Sequence, residues 1–153
     1  MDKLKKKKKA KKKKSIKTLK NKATKIFQLY IRLRDTDSEG NGRCCSCGRE
    51  VTYLNSNAGH FASRSHIRTL FDEENVHIQC IGCNGWGGNP DGYALFMIDK
   101  YGVNKIRLLN SKKTKPLKIS VLDYEEIIYL FGETIINYSK LWMLVNFGII
   151  SYS

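Results

Sequence analysis

The chain has 153 residues, 41% of them hydrophobic, and a formal charge of +14. That length allows one compact domain with tails around a core small enough to benefit from a metal staple. Five cysteines in a Lys-rich chain without an apolar signal segment argue against a disulfide framework and for a reducing compartment.

The charge is concentrated at one end. Residues 1–25 carry fourteen Lys against Asp2, which is +13, and the other 128 residues sum to +1. The run of Lys5, Lys6, Lys7, Lys8, Lys9, Lys11, Lys12, Lys13 and Lys14 repels itself and buries nothing. It reads as a disordered polybasic arm that binds phosphates without reading sequence. A solubilising tail or a nuclear import signal would have the same composition.

From Ser15 to Arg34 the apolar residues Ile16, Leu19, Ala23, Ile26, Phe27, Tyr30 and Leu33 recur at helical spacing, which predicts one amphipathic helix. The polar stretch 35–42 breaks it. Val51–Leu54 reads as a short strand, residues 55–59 as a turn, and His60-Phe61-Ala62 as the start of a second extended piece. Asn75–Gln79 alternates as a strand and runs into Cys80. Asn89 and Pro90 suit the cap and first position of a helix that Gly102 stops, and Trp86 is a candidate to pack under the cysteines. Residues 103–118 are basic with no acid, a candidate extension of the phosphate track. Asp123, with Glu126 three residues on, is placed as the cap of a final helix. Glu133 and Lys140 interrupt its apolar face, so it is no membrane span. The apolar run 141–150 is assigned to packing on the first helix or on a second copy in a homodimer.

Cys44-x-x-Cys47 and Cys80-x-x-Cys83 offer four thiolates, the set zinc favours in a closed structural site. Cys45, between the first pair, should point away from the ion. A zinc ribbon usually leaves about 15–20 residues between its pairs, and here the gap is 32 residues and holds His60, His66 and His77. Chemistry is expected inside it.

The order Cys-x-x-Cys, His, Asn, Cys-x-x-Cys-Asn resembles the HNH, or ββα-metal, nuclease motif. More closely, the segments 30–35, 44–49, 58–61, 71–77, 79–80, 83–84, 88–89 and 101–102 look like the NinG (Rap) recombination proteins of lambda-type phages, over roughly residues 26–140. The resemblance implies an α+β fold: a small HNH-like domain with a four-cysteine zinc ribbon, flanked by helices. It divides the chain into a polybasic arm (1–25), a zinc-braced domain (26–102), and a basic linker with a C-terminal helix (103–153). It implies a structure-specific DNA endonuclease acting on D-loops and Holliday junctions in the cytoplasm of a bacterial host. His60 would be the general base and Asn75 would orient it. Asn84 would offer oxygen to a catalytic Mg²⁺ or Mn²⁺ separate from the zinc.

Many HNH enzymes carry a metal-binding Asp directly before the His, and here that position is Gly59. Either His60 binds metal while His66 or His77 is the base, or Asp72, Glu73 or Glu74 supplies the missing oxygen. Arg64 and Arg68 could clamp phosphate oxygens bidentately. Two rival functions share these residues: a sequence-reading HNH homing or restriction enzyme, and a non-catalytic zinc-ribbon protein that recruits recombination factors to DNA.

Overall fold

The computed structural model describes residues 15–85, 88–114 and 117–146, with the helical course alone for 140–146. The arm from Lys5 to Lys14, the packing of Trp86 and that of the 141–150 run lie outside the described residues.

The first helix, α1 (Ile16–Arg34), begins where the Ser15 hydroxyl accepts from Thr18 N, satisfying one of the amides that a helix start leaves without a partner. Its buried stripe is Leu19, Ala23, Phe27, Tyr30 and Ile31. The helix crosses the boundary drawn at residue 25 as one element. Two short strands follow, β1 (Asn41–Arg43) and β2 (Glu50–Thr52), paired antiparallel on either side of the first cysteine pair.

A second antiparallel pair, β3 (Ser56–His60) and β4 (Val76–Cys80), runs with Ser56 opposite Cys80 and His60 opposite Val76. Here the structure corrects the turn expected at 55–59. The turn is already closed by residue 55, where Asn55 Oδ1 accepts from Thr52 N at 2.7 Å. Ser56-Asn57-Ala58-Gly59-His60 has little intrinsic strand preference, so it is the pairing with apolar β4 that makes it a strand. His60 thus ends β3 rather than opening a new extended piece.

The connection from β3 to β4 holds two 3₁₀ turns, Ile67–Thr69 and Glu73–Asn75. After β4 come a single turn α2 (Ile81–Asn84), α3 (Pro90–Tyr101) capped by Asn89, α4 (Val103–Lys113) and α5 (Val121–Asn146). Gly102, at φ 77°, makes the left-handed corner between α3 and α4. Much of the stretch expected as a basic linker is therefore helix. Leu109 of α4 is fully buried against Tyr93 and Met97 of α3, and Lys105 and Lys112 pair with Glu74 and Asp72. Through those two ion pairs α4 holds down the loop between the strands.

The cap of α5 is also corrected. Ser120 takes the cap position, its hydroxyl accepting from Asp123 N while Asp123 Oδ2 accepts from Ser120 N at 2.7 Å. Asp123 is the return partner of that capping box. Helices α1 and α5 lie side by side and run parallel: Leu19 and Ala23 meet Tyr124, whereas Phe27 and Tyr30 meet Phe131. The Phe27 and Phe131 rings stand 4.9 Å apart in an edge-on contact. Such a pair adds about 0.5–1.5 kcal/mol beyond its area burial. Among the described residues no helix is long and apolar enough to cross a membrane.

Candidate metal centre and histidine site

Cys44, Cys47, Cys80 and Cys83 come together with all four sulfurs within 4.8 Å of one another. Zn–S bonds of about 2.3 Å in a tetrahedron put sulfurs about 3.8 Å apart, and Cys47 Sγ lies 3.9 Å from Cys80 Sγ. The four thiols can hold a metal ion such as zinc. The first pair sits on a tight knuckle in which Gly48 N donates to Cys44 O at 2.8 Å and Gly48 takes φ 70°. In the second pair the Cys83 amide donates to Cys80 Sγ, which lowers the Cys80 thiol to about 7. Burial and the neighbouring thiols instead push Cys83 up to about 12. Cys45 falls outside the cluster. It packs beside Tyr93 and Met97, and burial raises its thiol to about 12, leaving it a poor ligand and a poor nucleophile.

The register fixes which way the histidines look. Side chains alternate along a strand, so His60, Val76, Ala58 and Ile78 share one face of the hairpin and Gly59, His77 and Gln79 share the other. His60 is half-buried, its Nε2 3.1 Å from the Leu70 carbonyl oxygen. A carbonyl only accepts, so Nε2–H donates to it. Burial lowers the His60 pKa, and the charge of Arg64 pushes the same way. Arg64 and Arg68 are both exposed on the loop after β3, and His66 caps the first 3₁₀ turn.

Asn75 is completely buried, and its side-chain hydrogen bonds go to the loop backbone rather than to the His60 ring. Its Oδ1 accepts from Ala62 N at 2.7 Å, and its Nδ2 donates to Ala62 O at 3.0 Å and to Thr69 O at 2.8 Å. It locks the loop whose next carbonyl, Leu70, holds His60. The link from Asn75 to His60 therefore runs through the backbone.

His77 does not join this site, which corrects its place among the catalytic candidates. It is 1% exposed on the opposite face, with Nδ1 3.1 Å from Tyr93 Oη and Nε2 2.9 Å from Tyr101 Oη. The Tyr93 hydroxyl donates to Gly59 O and so accepts from His77 Nδ1, leaving Nε2 to accept from Tyr101. Burial holds His77 neutral, with its pKa lowered to about 3.

The acids offered as oxygen donors have other partners: Asp72 with Lys112, Glu73 with Tyr30, Glu74 with Lys105. Asn84 is exposed at the end of α2. Sequence reasoning missed two residues. Tyr93 ties α3 to both strands by donating to Gly59 O at 2.9 Å, and Gln79 has its carboxamide against Gly59. Gln79 could have been suspected as a carboxamide standing in a short strand directly before a cysteine ligand.

A mixed α+β protein, with two small sheets and a four-cysteine cluster that could hold a metal ion, is the class that these features define. The family model described as "Bacteriophage Lambda NinG protein" matches residues 1–140, and the chain belongs to that family. It is similar to the ninG proteins of Salmonella phage P22, 34% identical over 84 residues, and of Escherichia phage 933W, 33% identical over 88 residues. These matches cover 54% and 56% of this chain but 39% and 41% of those proteins, so the chain spans well under half the length of the curated relatives it matches. No solved structure matches.

Proposed function

We propose that this NinG-family chain is a metal-dependent DNA endonuclease acting on branched recombination intermediates such as D-loops and Holliday junctions. The observation that carries the reading is His60. Its Nε2 is held by the Leu70 carbonyl, and burial lowers its pKa from the ordinary histidine value, favouring the neutral ring. That is the state a general base needs to take a proton from an attacking water. Arg64 stands close enough to depress the His60 pKa and would hold a phosphate oxygen at the same place.

A Mg²⁺ or Mn²⁺ ion would stabilise charge on the phosphate and on the leaving oxygen. Asn84, exposed beside the cysteine cluster, offers it an oxygen, whereas the four-sulfur set is closed and of the wrong chemistry. Zinc in the thiols would act as a brace, fixing the end of β4 and the start of α2 from which Asn84 projects. The polybasic arm and the exposed Lys17, Lys22 and Lys25 of α1 would track phosphates, leaving selectivity to the shape of the junction.

The test is Mg²⁺- or Mn²⁺-dependent cutting of a D-loop, a four-way junction and a matched linear duplex by the wild-type chain and by His60→Ala that retains zinc. Cutting of branched DNA, reduced about 10²–10⁴-fold by the substitution, is the expected result. Cutting at one defined site in linear duplex would favour the sequence-reading enzyme. Binding without cutting by folded, zinc-loaded protein would leave the recruiting role.

A further inference from the structure

Ser56 opens β3 directly opposite Cys80, a member of the four-sulfur cluster. Phe61 N donates to Asn75 O at 2.9 Å, which makes 61 and 75 a hydrogen-bonded pair. Facing residues of an antiparallel ladder alternate between bonded and narrow, non-bonded pairs, so 60 with 76, 58 with 78 and 56 with 80 are narrow ones. In a narrow pair the Cα atoms stand about 4.5 Å apart and the two side chains lie close together on one face. The Ser56 side chain and the Cys80 thiol are therefore cross-strand neighbours.

The Ser56 hydroxyl is sealed in and unpaired. The residue is 5% exposed, and among the described residues its Oγ is the one buried side-chain oxygen or nitrogen without a hydrogen-bond partner. A hydroxyl buried in that state costs free energy that an alanine would not, and such a group in a folded protein calls for a reason. The cluster supplies one. A thiol is a weak acceptor, whereas a thiolate is a charged one, and four thiolates outweigh the charge of a single Zn²⁺. Among the described residues the Cys83 amide, at 3.4 Å, is the one nitrogen or oxygen donor bonded to Cys80 Sγ.

We infer that the Ser56 hydroxyl donates a hydrogen bond to the metal-bound sulfur of Cys80, which makes Ser56 a positioning residue of the metal centre. The inference rests on the reading of the four cysteines as a zinc site and adds to it a donor from outside both cysteine motifs. Rotation about the Ser56 Cα–Cβ bond, among its three staggered positions, is the movement the hydroxyl needs to meet an acceptor across the pair. The bond draws charge from the sulfur, which tightens the hold on the ion and makes the thiolate less reactive toward electrophiles. It also ties the first residue of β3 to the metal, and the last residue of that strand is His60.

The full chain loaded with zinc, or with cobalt as a probe, tests this without reference to cleavage. Ser56→Ala removes the hydroxyl and little else. It should hold zinc about tenfold or more weakly in competition with a chelator. Its thiolate-to-cobalt absorption should move to longer wavelength, because the sulfur keeps more of its charge. Ser56→Thr retains the donor and should match wild type in both respects. Should Ser56→Ala not fold, Ser56→Thr against Ser56→Val makes the same comparison, since those two side chains differ at the hydroxyl alone. Wild-type zinc affinity with an unshifted band in the chain lacking the hydroxyl overturns the inference. Weakened zinc with an unshifted band is a packing effect and overturns it too. A wild-type chain that takes up neither metal overturns the zinc reading along with it.

Discussion

Asn75 grips the Ala62 peptide from both sides, Oδ1 accepting from its amide at 2.7 Å and Nδ2 donating to its carbonyl at 3.0 Å. A buried carboxamide thus does for the loop 62–70 what a strand partner does for β3. Since the nitrogen also reaches Thr69 O, removing the carboxamide leaves three backbone groups without this partner.

Asn75→Ala should therefore cost about 2–4 kcal/mol of stability, from buried backbone groups left unsatisfied. It should also release the Leu70 carbonyl that fixes His60. Denaturant melts check the first effect, and the histidine Nε2–H proton resonance checks the second. A loss below about 0.5 kcal/mol would falsify this account of Asn75.

His77 makes stability depend on pH with a definite sign. Its folded pKa of about 3 lies below the ordinary 6.5, so between those values the unfolded chain binds a proton that the folded one refuses. Stability is then full above about pH 6.5 and falls with acidification, by about 1.4 kcal/mol per pH unit at most for one group. His77→Gln keeps hydrogen-bonding capacity between the two tyrosine hydroxyls without titrating. Its melting temperature should fall less steeply between pH 6.5 and 5, and an identical slope in both proteins would assign the effect elsewhere.

The cysteines should separate into four and one. Cys80→Ser and Cys83→Ser are expected to lower zinc per chain from about one to well below one and to destabilise the fold, because metal binding free energy is folding free energy. Cys45→Ser should retain full zinc. Cobalt substitution gives an independent readout: the thiolate-to-metal absorption of a four-sulfur site should survive Cys45→Ser and be lost in Cys80→Ser.

For the arm, a deletion of residues 1–14 should weaken binding to branched and linear DNA by similar factors and flatten the dependence of affinity on salt. Each lost phosphate contact removes about 0.9 from the slope of log K against log salt on duplex DNA. Unchanged affinity and slope in fluorescence anisotropy titrations would take the arm out of the interface.

Much of this architecture is readable from residue order. The period of α1, its Ser15 start, the Asn89-Pro90 opening of α3 and the Gly102 stop are local signals, carried by residues within a turn or two of each other. The four-cysteine cluster is legible because two short motifs predict it irrespective of the distance between them. What residue order hid was tertiary. Strand β3 is made by its partner, and α4 is held by ion pairs to a loop some thirty to forty residues back. The faces of the hairpin depend on a register that no single-strand pattern sets, which is why His77 stood as an alternative base beside His60.

The parallel contact of α1 with α5 has a consequence for how the chain acquires its shape during synthesis. The α1 face bearing Leu19, Ala23, Phe27 and Tyr30 is covered in part by Ala58, Phe71 and Val76 but finished only by Tyr124 and Phe131, so the remainder stays bare until α5 is made. Contacts of such long sequence separation form late, and an apolar face kept waiting is open to aggregation. A nascent chain stalled before residue 121 should bind a trigger-type holdase through α1, and release from it should coincide with emergence of α5.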